Sequence, residues 1–349
     1  MILTGILSVL SLSLLFYMIF GGADFGAGVL EGLVPKKLRK ENEALVSKAM
    51  SPVWEANHMW IILAVVILFN GFPDLYSMIS TIFHIPLLIM LFGIVLRGCA
   101  FTFRHYDPYY EYGQPAYRLT FFISSFLAPL MLGMIGGSMM NHHLTDPLSS
   151  DLMQNFQGHF WDLYGASWLS GFSTICGFIL VFLCALIASV FLFCESTHND
   201  LKSLFYSYTK WFLLGLYALI CALLLMSWIQ NNLFYQIFKE NIALVLLLPA
   251  WFILSGVLLN SLRKNRILIL RVAVSGKAVL ISAAWMLTQF PYAMPGLMQN
   301  NQKAFDLLKH HASPETLNQL WYALLFGSFL IFPALFFLFR TFKSSQSSL

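Results

Sequence analysis

Four ionisable residues lie in or beside long apolar stretches near the start of the chain: Asp24, Glu31, Glu55 and His58. An ionisable side chain inside a bilayer is costly unless it is paired or hydrated, so each of them is a candidate for function. Carboxylates and imidazoles that are buried together can pass a proton from one to the next. These residue types therefore indicate a route for protons into the membrane.

A structural alternative explains the same carboxylates. They could form a cluster that Arg97, Arg104 or the basic first loop neutralises, because a buried charge needs an opposite partner. Both interpretations stay open for Asp24 and Glu55. Glu31 lies close to the predicted headgroup region, which favours the structural interpretation for that residue.

One face of the next apolar segment is polar. Trp54, Asn57, His58 and Ile61 fall at i, i+3, i+4 and i+7, which places them on one side of a helix. His58, like His84 further on, could ligate a haem iron. A lone membrane histidine more often forms a hydrogen bond between helices, so we predict no cofactor ligand here.

Small residues around Asp24 predict close helix packing. Gly22 with Gly26, and Gly28 with Gly32, are spaced i, i+4 and let the backbone of another helix approach. This packing would carry Asp24 into a helix interface and away from lipid.

Two cations lie within the eighth apolar stretch. Arg271 is about one turn inside and can extend to the cytoplasmic surface. Lys277 is roughly 15 Å deep at the rise of an α-helix and is expected to need a partner. A secondary transporter with an ion site at the membrane midplane is an alternative function that Lys277 would favour. The spans are interrupted by Pro86, Pro129, Pro249 and Pro333. Kinks are the default explanation of these prolines, and broken transport helices, which would support the transporter, are the alternative.

The composition shows which elements position these residues. Of 349 residues, 58% are hydrophobic and 10% charged, and mean hydropathy is +0.73. Soluble domains carry about 25% charged residues, so this chain is an all-α polytopic membrane protein. The net charge of +4 arises from cations in the loops, which indicates membrane topology and not nucleic-acid binding.

Crossing a bilayer takes about 20 apolar residues in a helix. We predict nine spans in one integral-membrane domain, near 2–23, 53–72, 76–97, 117–140, 164–194, 204–229, 241–262, 266–290 and 318–341. Lys and Arg concentrate in the odd-numbered loops and the C-terminal tail, whereas the even-numbered loops contain Lys239, Lys303 and Lys309. The positive-inside rule then predicts an N-terminus outside and a C-terminus in the cytoplasm.

The cysteines and the remaining histidines do not predict a metal site. No Cys-x-x-Cys pair occurs, and cysteines in or beside apolar stretches are typical packing residues. Histidines that are adjacent in sequence do not face each other on a helix. The residues concerned are Cys99, Cys176, Cys184, Cys194 and Cys221, with His142, His143, His310 and His311.

Several motifs resemble the cytochrome bd oxidase subunit II family. Residues 22–28, GADFGAG, are similar to the glycine-rich signature of its first helix, and residues 52–60, PVWEANHMW, to its Trp-flanked motif. Residues 71–73, 97–104 and 290–295 resemble later segments, so the resemblance covers the whole chain.

This resemblance implies a fold of two four-helix bundles plus one peripheral helix in a bacterial inner membrane. It implies a heterodimer with a subunit I that holds haems b and d and the quinol site, with a possible small accessory subunit. A structural quinone or lipid is also possible.

By the same resemblance, Glu55 is the proton-path residue and Asp24 a contributor, and their surroundings are Trp54, Asn57, His58 and Trp60. The chain differs from the family at Gly21, where many members have an acidic residue. This difference puts in question whether the proton path has the same entrance as in the family. Glu55 and His58 stand where others have Asp and Gln. A non-catalytic paralogue that acts as an assembly scaffold is a further alternative.

Overall fold

The structure is a computed structural model that describes residues 1–50, 54–106, 110–140, 161, 165–295, 297 and 305–345. Apart from short turns and one pair of two-residue strands, Tyr292–Ala293 and Phe305–Asp306, the described chain is helical. The statements below concern these residues.

The first membrane helix is longer than its predicted range, 2–23. Helix α1 (Ile2–Phe16) continues through a π-helical turn (Tyr17–Gly21) into α2 (Gly22–Leu33). Together they form one apolar helix of 32 residues. Asp24 and Glu31 lie inside this helix and do not end it, because both side chains are buried. It ends before Pro35, which disfavours the helical conformation in the preceding residue.

The second and third predicted spans differ from the structure at their junction. A 3₁₀ turn (Lys36–Leu38) and α3 (Arg39–Met50) precede α4 (Trp54–Gly71). The chain then bends by 119° into the short α5 (Pro73–Ile82), and α6 begins at His84 and ends at Tyr106. The predicted span 76–97 is therefore divided at Phe83. Pro86 lacks the N–H that would continue the helix by bonding to the carbonyl of Ile82.

Six of the remaining seven described helices overlap the ranges predicted for spans, and the short α10 lies between two of those ranges. Their bounds are α7 Tyr110–Ser138, α8 Gly171–Glu195, α9 Asn199–Gln230, α10 Leu233–Glu240, α11 Ile242–Arg263, α12 Ile267–Gln289 and α13 Pro314–Ser345. Helix α8 begins seven residues later than predicted because Ser170 and Ser173 form a capping box there. Pro129, Pro249 and Pro333 lie inside continuous helices.

Two apolar clusters hold the helices together. The larger is centred on α8, which packs against α2, α7, α9 and α12. The smaller joins α1, α4, α5 and α13 with the later part of α7. Seven of the described helices are long and apolar enough to cross a membrane, and α4 with α5 would make an eighth. The nine spans, the two bundles and the orientation remain predictions.

Candidate functional site

Asp24 on α2 and Arg97 on α6 form a buried ion pair, called here the inner pair. Nη1 and Nη2 of Arg97 donate to the two carboxylate oxygens, and Nη2 also donates to the Asp24 backbone carbonyl at 2.9 Å. Nε of Arg97 donates to the Ser125 hydroxyl on α7 at 2.9 Å. Paired donors of this kind fix both position and orientation, so the inner pair ties three helices together.

A second buried ion pair, the middle pair, joins Glu31 on α2 to Arg104 on α6. Glu31 follows Asp24 by seven residues and Arg104 follows Arg97 by seven. Seven residues are two helical turns, about 10.5 Å, so both pairs fit only if α2 and α6 run in the same direction. The Oε2 atom of Glu31 is buried and accepts no hydrogen bond within the described residues.

A third pair, the outer pair, lies nearer the surface. Nε of Arg118 on α7 is 3.4 Å from Oε1 of Glu43 on α3, and their side chains are 22% and 19% exposed. The arginine and carboxylate side chains of the middle pair are 6% and 1% exposed, and those of the inner pair 2% and 0%. Exposure therefore falls stepwise from the outer pair to the inner pair.

The Phe121 ring on α7 connects the inner and middle pairs. Its centroid lies 4.8 Å from Cζ of Arg97 and 5.3 Å from Cζ of Arg104. The Phe25 ring lies 5.2 Å from the Arg97 guanidinium. Ring faces attract guanidinium groups, so these aromatic residues provide further stabilisation for the buried cations.

The glycine pairs of α2 allow the close helix packing that the sequence predicts, but the two pairs face two different helices. A Cβ on Gly26 would overlap the backbone of Cys184 on α8 and lie 2.8 Å from Cβ of Ala188. A Cβ on Gly28 would lie 2.6 Å from Cβ of Ser125 on α7. The backbone of α2 is thereby wedged between α7 and α8, which carries Asp24 out of contact with lipid.

The Trp-flanked motif occupies the start of α4. The side chains of Trp54 and Glu55 lie outside the described residues, although both belong to the first turn of the helix. Asn57 is buried. Trp60 packs on Phe16 with ring centroids 4.7 Å apart.

His58 lies against the first membrane helix. Its ring centroid is 6.4 Å from that of Tyr17 and 6.2 Å from that of Phe25. Phe25 in turn lies over the guanidinium of the inner pair. The structure therefore places His58 and the inner pair within one neighbourhood, around the Phe25 ring.

Lys277 on α12 is fully buried and has uncharged partners. Its Nζ donates to the Ser255 hydroxyl at 2.6 Å and to the Trp251 carbonyl at 3.3 Å, and lies 3.6 Å from the Trp251 ring centroid. The Tyr217 hydroxyl on α9 donates to Ser255 at 2.5 Å. No carboxylate in the described part of the chain pairs with Lys277. This lysine cluster joins α9, α11 and α12.

The other candidate residues form local ion pairs and hydrogen bonds. Arg271 forms a half-exposed ion pair with Glu195 at 2.5 Å. Nδ1 of His84 lies 2.9 Å from the carbonyl of Thr81, at the α5–α6 junction. His310 accepts from the backbone N–H of Asp306 at 3.2 Å.

The described residues contain no group of three or more His, Cys, Asp or Glu residues that could hold a metal ion. All five cysteines are free thiols. His142 and His143 lie outside the described residues.

Sequence reasoning named Arg97 and Arg104 as possible partners but not their pairing. The equal seven-residue spacing of the two acids and the two arginines is the signal that predicts it. Ser125, Tyr217, Ser255 and Trp251 were missed, since uncharged residues in an apolar helix resemble ordinary packing positions.

Comparison with known proteins gives consistent results. Residues 3–342 match the model of the family described as cytochrome bd terminal oxidase subunit II. The cytochrome bd ubiquinol oxidase subunit 2 of Bacillus subtilis (strain 168) is 23% identical over 239 residues, 68% of this chain and 67% of that protein. The cytochrome bd-I ubiquinol oxidase subunit 2 of Escherichia coli (strain K12) is 23% identical over 133 residues, 36% of this chain and 33% of that protein.

A solved structure shares the fold. A chain from the structure of bd oxidase from Geobacillus thermodenitrificans superposes with a TM-score of 0.72 at 18% sequence identity, and the match covers 98% of each chain. Together with the apolar helices, the family match places the chain in a bacterial inner membrane as a multi-pass protein. The chain belongs to the family of cytochrome bd terminal oxidase subunit II.

Proposed function

We propose that this chain works as subunit II of a bd-type quinol oxidase, which couples quinol oxidation to the reduction of dioxygen to water. The family match over residues 3–342 carries the proposal. In this assembly subunit I holds haems b and d and the quinol site, and the present chain supports it. A small accessory subunit and a structural quinone or lipid are further proposed components.

The chain also supplies part of a proton path from the cytoplasm in this proposal. The outer, middle and inner pairs support it, because they form a line of carboxylate–arginine pairs whose exposure falls stepwise from the outer pair to the inner pair. Buried titratable groups in such a line can hand protons inward when water or other polar groups bridge the distance between them.

The carboxylates of the line differ in their ability to take up a proton. Both carboxylate oxygens of Asp24 accept hydrogen bonds from Arg97, so Asp24 contributes through the field that it creates with Arg97. Glu31 has one buried oxygen that accepts no hydrogen bond from the described residues. Glu31 is therefore the member of the line that can take up a proton on one oxygen and keep its hydrogen bond to Arg104 through the other.

Glu55 is the proposed proton-path residue of the Trp-flanked motif. Its place in the first turn of α4 is one helical turn from His58, which lies against Phe25 beside the inner pair. Trp54, Asn57 and Trp60 form its proposed surroundings.

The assembly is tested first by isolating the chain from its native membrane in mild detergent and recording a reduced-minus-oxidised visible spectrum. Haem d absorbance with a larger co-purifying subunit is the expected result. A colourless protein without a partner would contradict the oxidase and favour transport assays around Lys277.

The proton path is tested by Glu55→Gln in the purified complex. We expect quinol-driven oxygen uptake to fall roughly tenfold or more, because the amide cannot carry a proton. Glu315→Gln is the matched control, since Glu315 is exposed at the start of α13 and is expected to leave uptake unchanged. Unchanged uptake in Glu55→Gln, with the haem spectrum intact, would reject the path and favour the assembly scaffold.

The transporter alternative has less support. Transporters of that kind are built from repeats with unwound helices at corresponding positions. Within the described residues one bent pair occurs, α4 with α5, and the helices that contain Pro129, Pro249 and Pro333 are continuous. Lys277 is satisfied by groups of the chain itself.

A further inference from the structure

A polar cavity lies where the end of α8, the start of α9 and the turn between α11 and α12 meet. Its volume is about 420 Å³, and Asn199, Lys202, Arg263 and Asn265 line it. These segments carry an excess of Lys and Arg, so the positive-inside rule assigns the cavity to the cytoplasmic membrane surface.

The cavity is positively charged. Neither Lys202 nor Arg263 forms an ion pair with a carboxylate of the described residues. Lys210 adds a further cation, since its Nζ is 4.3 Å from the ring centroid of Tyr206, which also lines the cavity. Lys264 and Arg266 add two exposed cations in the same turn as Arg263.

Two acids lie close by and do not cancel this charge. Glu195, at the end of α8, is already paired with Arg271. Asp200 is an exposed residue in the first turn of α9. The N–H groups of that first turn have no partners within the helix, which adds partial positive charge beside Asn199.

The inner wall of the cavity is apolar. Phe193 and Leu262 line it, and Nζ of Lys202 lies 5.1 Å from the Phe193 ring centroid. Deeper along the same helices, Trp211 and Leu214 on α9 expose 69% and 59% of their surface. A small inorganic anion would use the cations but not these apolar surfaces.

We propose that this cavity binds the phosphate headgroup of an anionic phospholipid, with the acyl chains against the exposed apolar side chains of α9. Lys202 and Arg263 bind the phosphate, and Asn199, Asn265 and Tyr206 supply further hydrogen-bonding groups. Basic cavities between membrane helices at the cytoplasmic surface bind such headgroups. The site does not depend on the oxidase activity proposed above.

The proposal is tested on the full-length protein with its co-purifying partner, reconstituted in phosphatidylcholine nanodiscs that contain increasing amounts of phosphatidylglycerol. Native mass spectrometry counts the phosphatidylglycerol molecules retained. The double variant Lys202→Gln/Arg263→Gln is expected to lose one bound phosphatidylglycerol and to weaken its affinity about 30-fold, because each cation near the membrane surface contributes about fivefold.

Two further variants separate binding from folding. Lys36→Gln/Lys37→Gln removes two exposed cations from the first loop, on the same predicted side, and is expected to retain the lipid. Lys202→Arg/Arg263→Lys keeps both charges and is expected to retain it as well. Equal retention by the wild type and Lys202→Gln/Arg263→Gln would overturn the proposal. Competition by inorganic phosphate at concentrations that match the lipid affinity would overturn the assignment to a lipid.

Discussion

Two regions of the molecule bury charge in opposite ways. In the line of ion pairs that joins α2, α3, α6 and α7, each arginine meets a carboxylate. In the lysine cluster, Lys277 meets a hydroxyl, a carbonyl and an indole ring. A buried ion pair is costly to break because it leaves one charge unpaired, whereas a cation with neutral partners leaves no charge behind when it is removed. The two regions should therefore respond differently to substitution.

The largest effect is expected from Arg97→Met, which leaves Asp24 buried without its partner. We expect a loss of about 3–5 kcal/mol in the free energy of unfolding. The double variant Asp24→Leu/Arg97→Met, which removes both charges, should recover most of this loss. Thermal and denaturant unfolding of the purified full-length protein measure both effects, and a wild-type unfolding midpoint for Arg97→Met would show that the inner pair contributes little.

A smaller effect is expected from adding one methyl group to the crowded helix α2. Gly26→Ala should cost about 1–3 kcal/mol, because its Cβ would overlap the backbone of Cys184. Gly256→Ala on α11 is the matched control, since nothing lies within 4 Å of its Cβ. Alanine favours a helix by about 1 kcal/mol over glycine, so Gly256→Ala should be neutral or slightly stabilising. Equal unfolding midpoints for the two variants would contradict the close approach of α2 and α8.

The smallest effect is expected from Lys277→Met. Tyr217 and Ser255 keep their hydrogen bond to each other, and Ser255 keeps its bond to the Trp251 carbonyl at 2.8 Å. The free energy of unfolding should therefore change by about 1 kcal/mol or less, since removal of the cation leaves no unpaired charge. The same unfolding measurements apply. A loss as large as that of Arg97→Met would indicate an anionic partner for Lys277.

The sequence predicts the apolar helices and the packing glycines well, because both depend on residue type and short spacing. It also identifies Arg97 and Arg104 as possible partners of the acids. It names Pro86 as an interruption of its span, but the continuous range 76–97 misses the turn at Phe83. Pro86 lacks the backbone N–H that would bond to Ile82, and a hydropathy profile contains no information about backbone hydrogen bonds.

The partners of Lys277 could not be predicted for a different reason. A buried lysine is expected to pair with a carboxylate, but no carboxylate of the described residues forms an ion pair with Lys277. Serine, tyrosine and tryptophan satisfy it instead, and these residues occur throughout membrane helices. Only the three-dimensional arrangement of α9, α11 and α12 distinguishes Ser255 from the other serines. The role of Glu55 stays a prediction.

The π-helical turn at Tyr17–Gly21 divides the first membrane helix into two halves that serve different neighbours. Before it, Ile6 and Leu10 belong to the smaller cluster; after it, Ala27 and Leu30 belong to the larger. A wider turn adds one residue and shifts the angular phase of everything that follows by about 100°. The turn thus changes the direction that the following side chains face, which lets Asp24 and Glu31 face α6 while the N-terminal half of the helix keeps its own orientation.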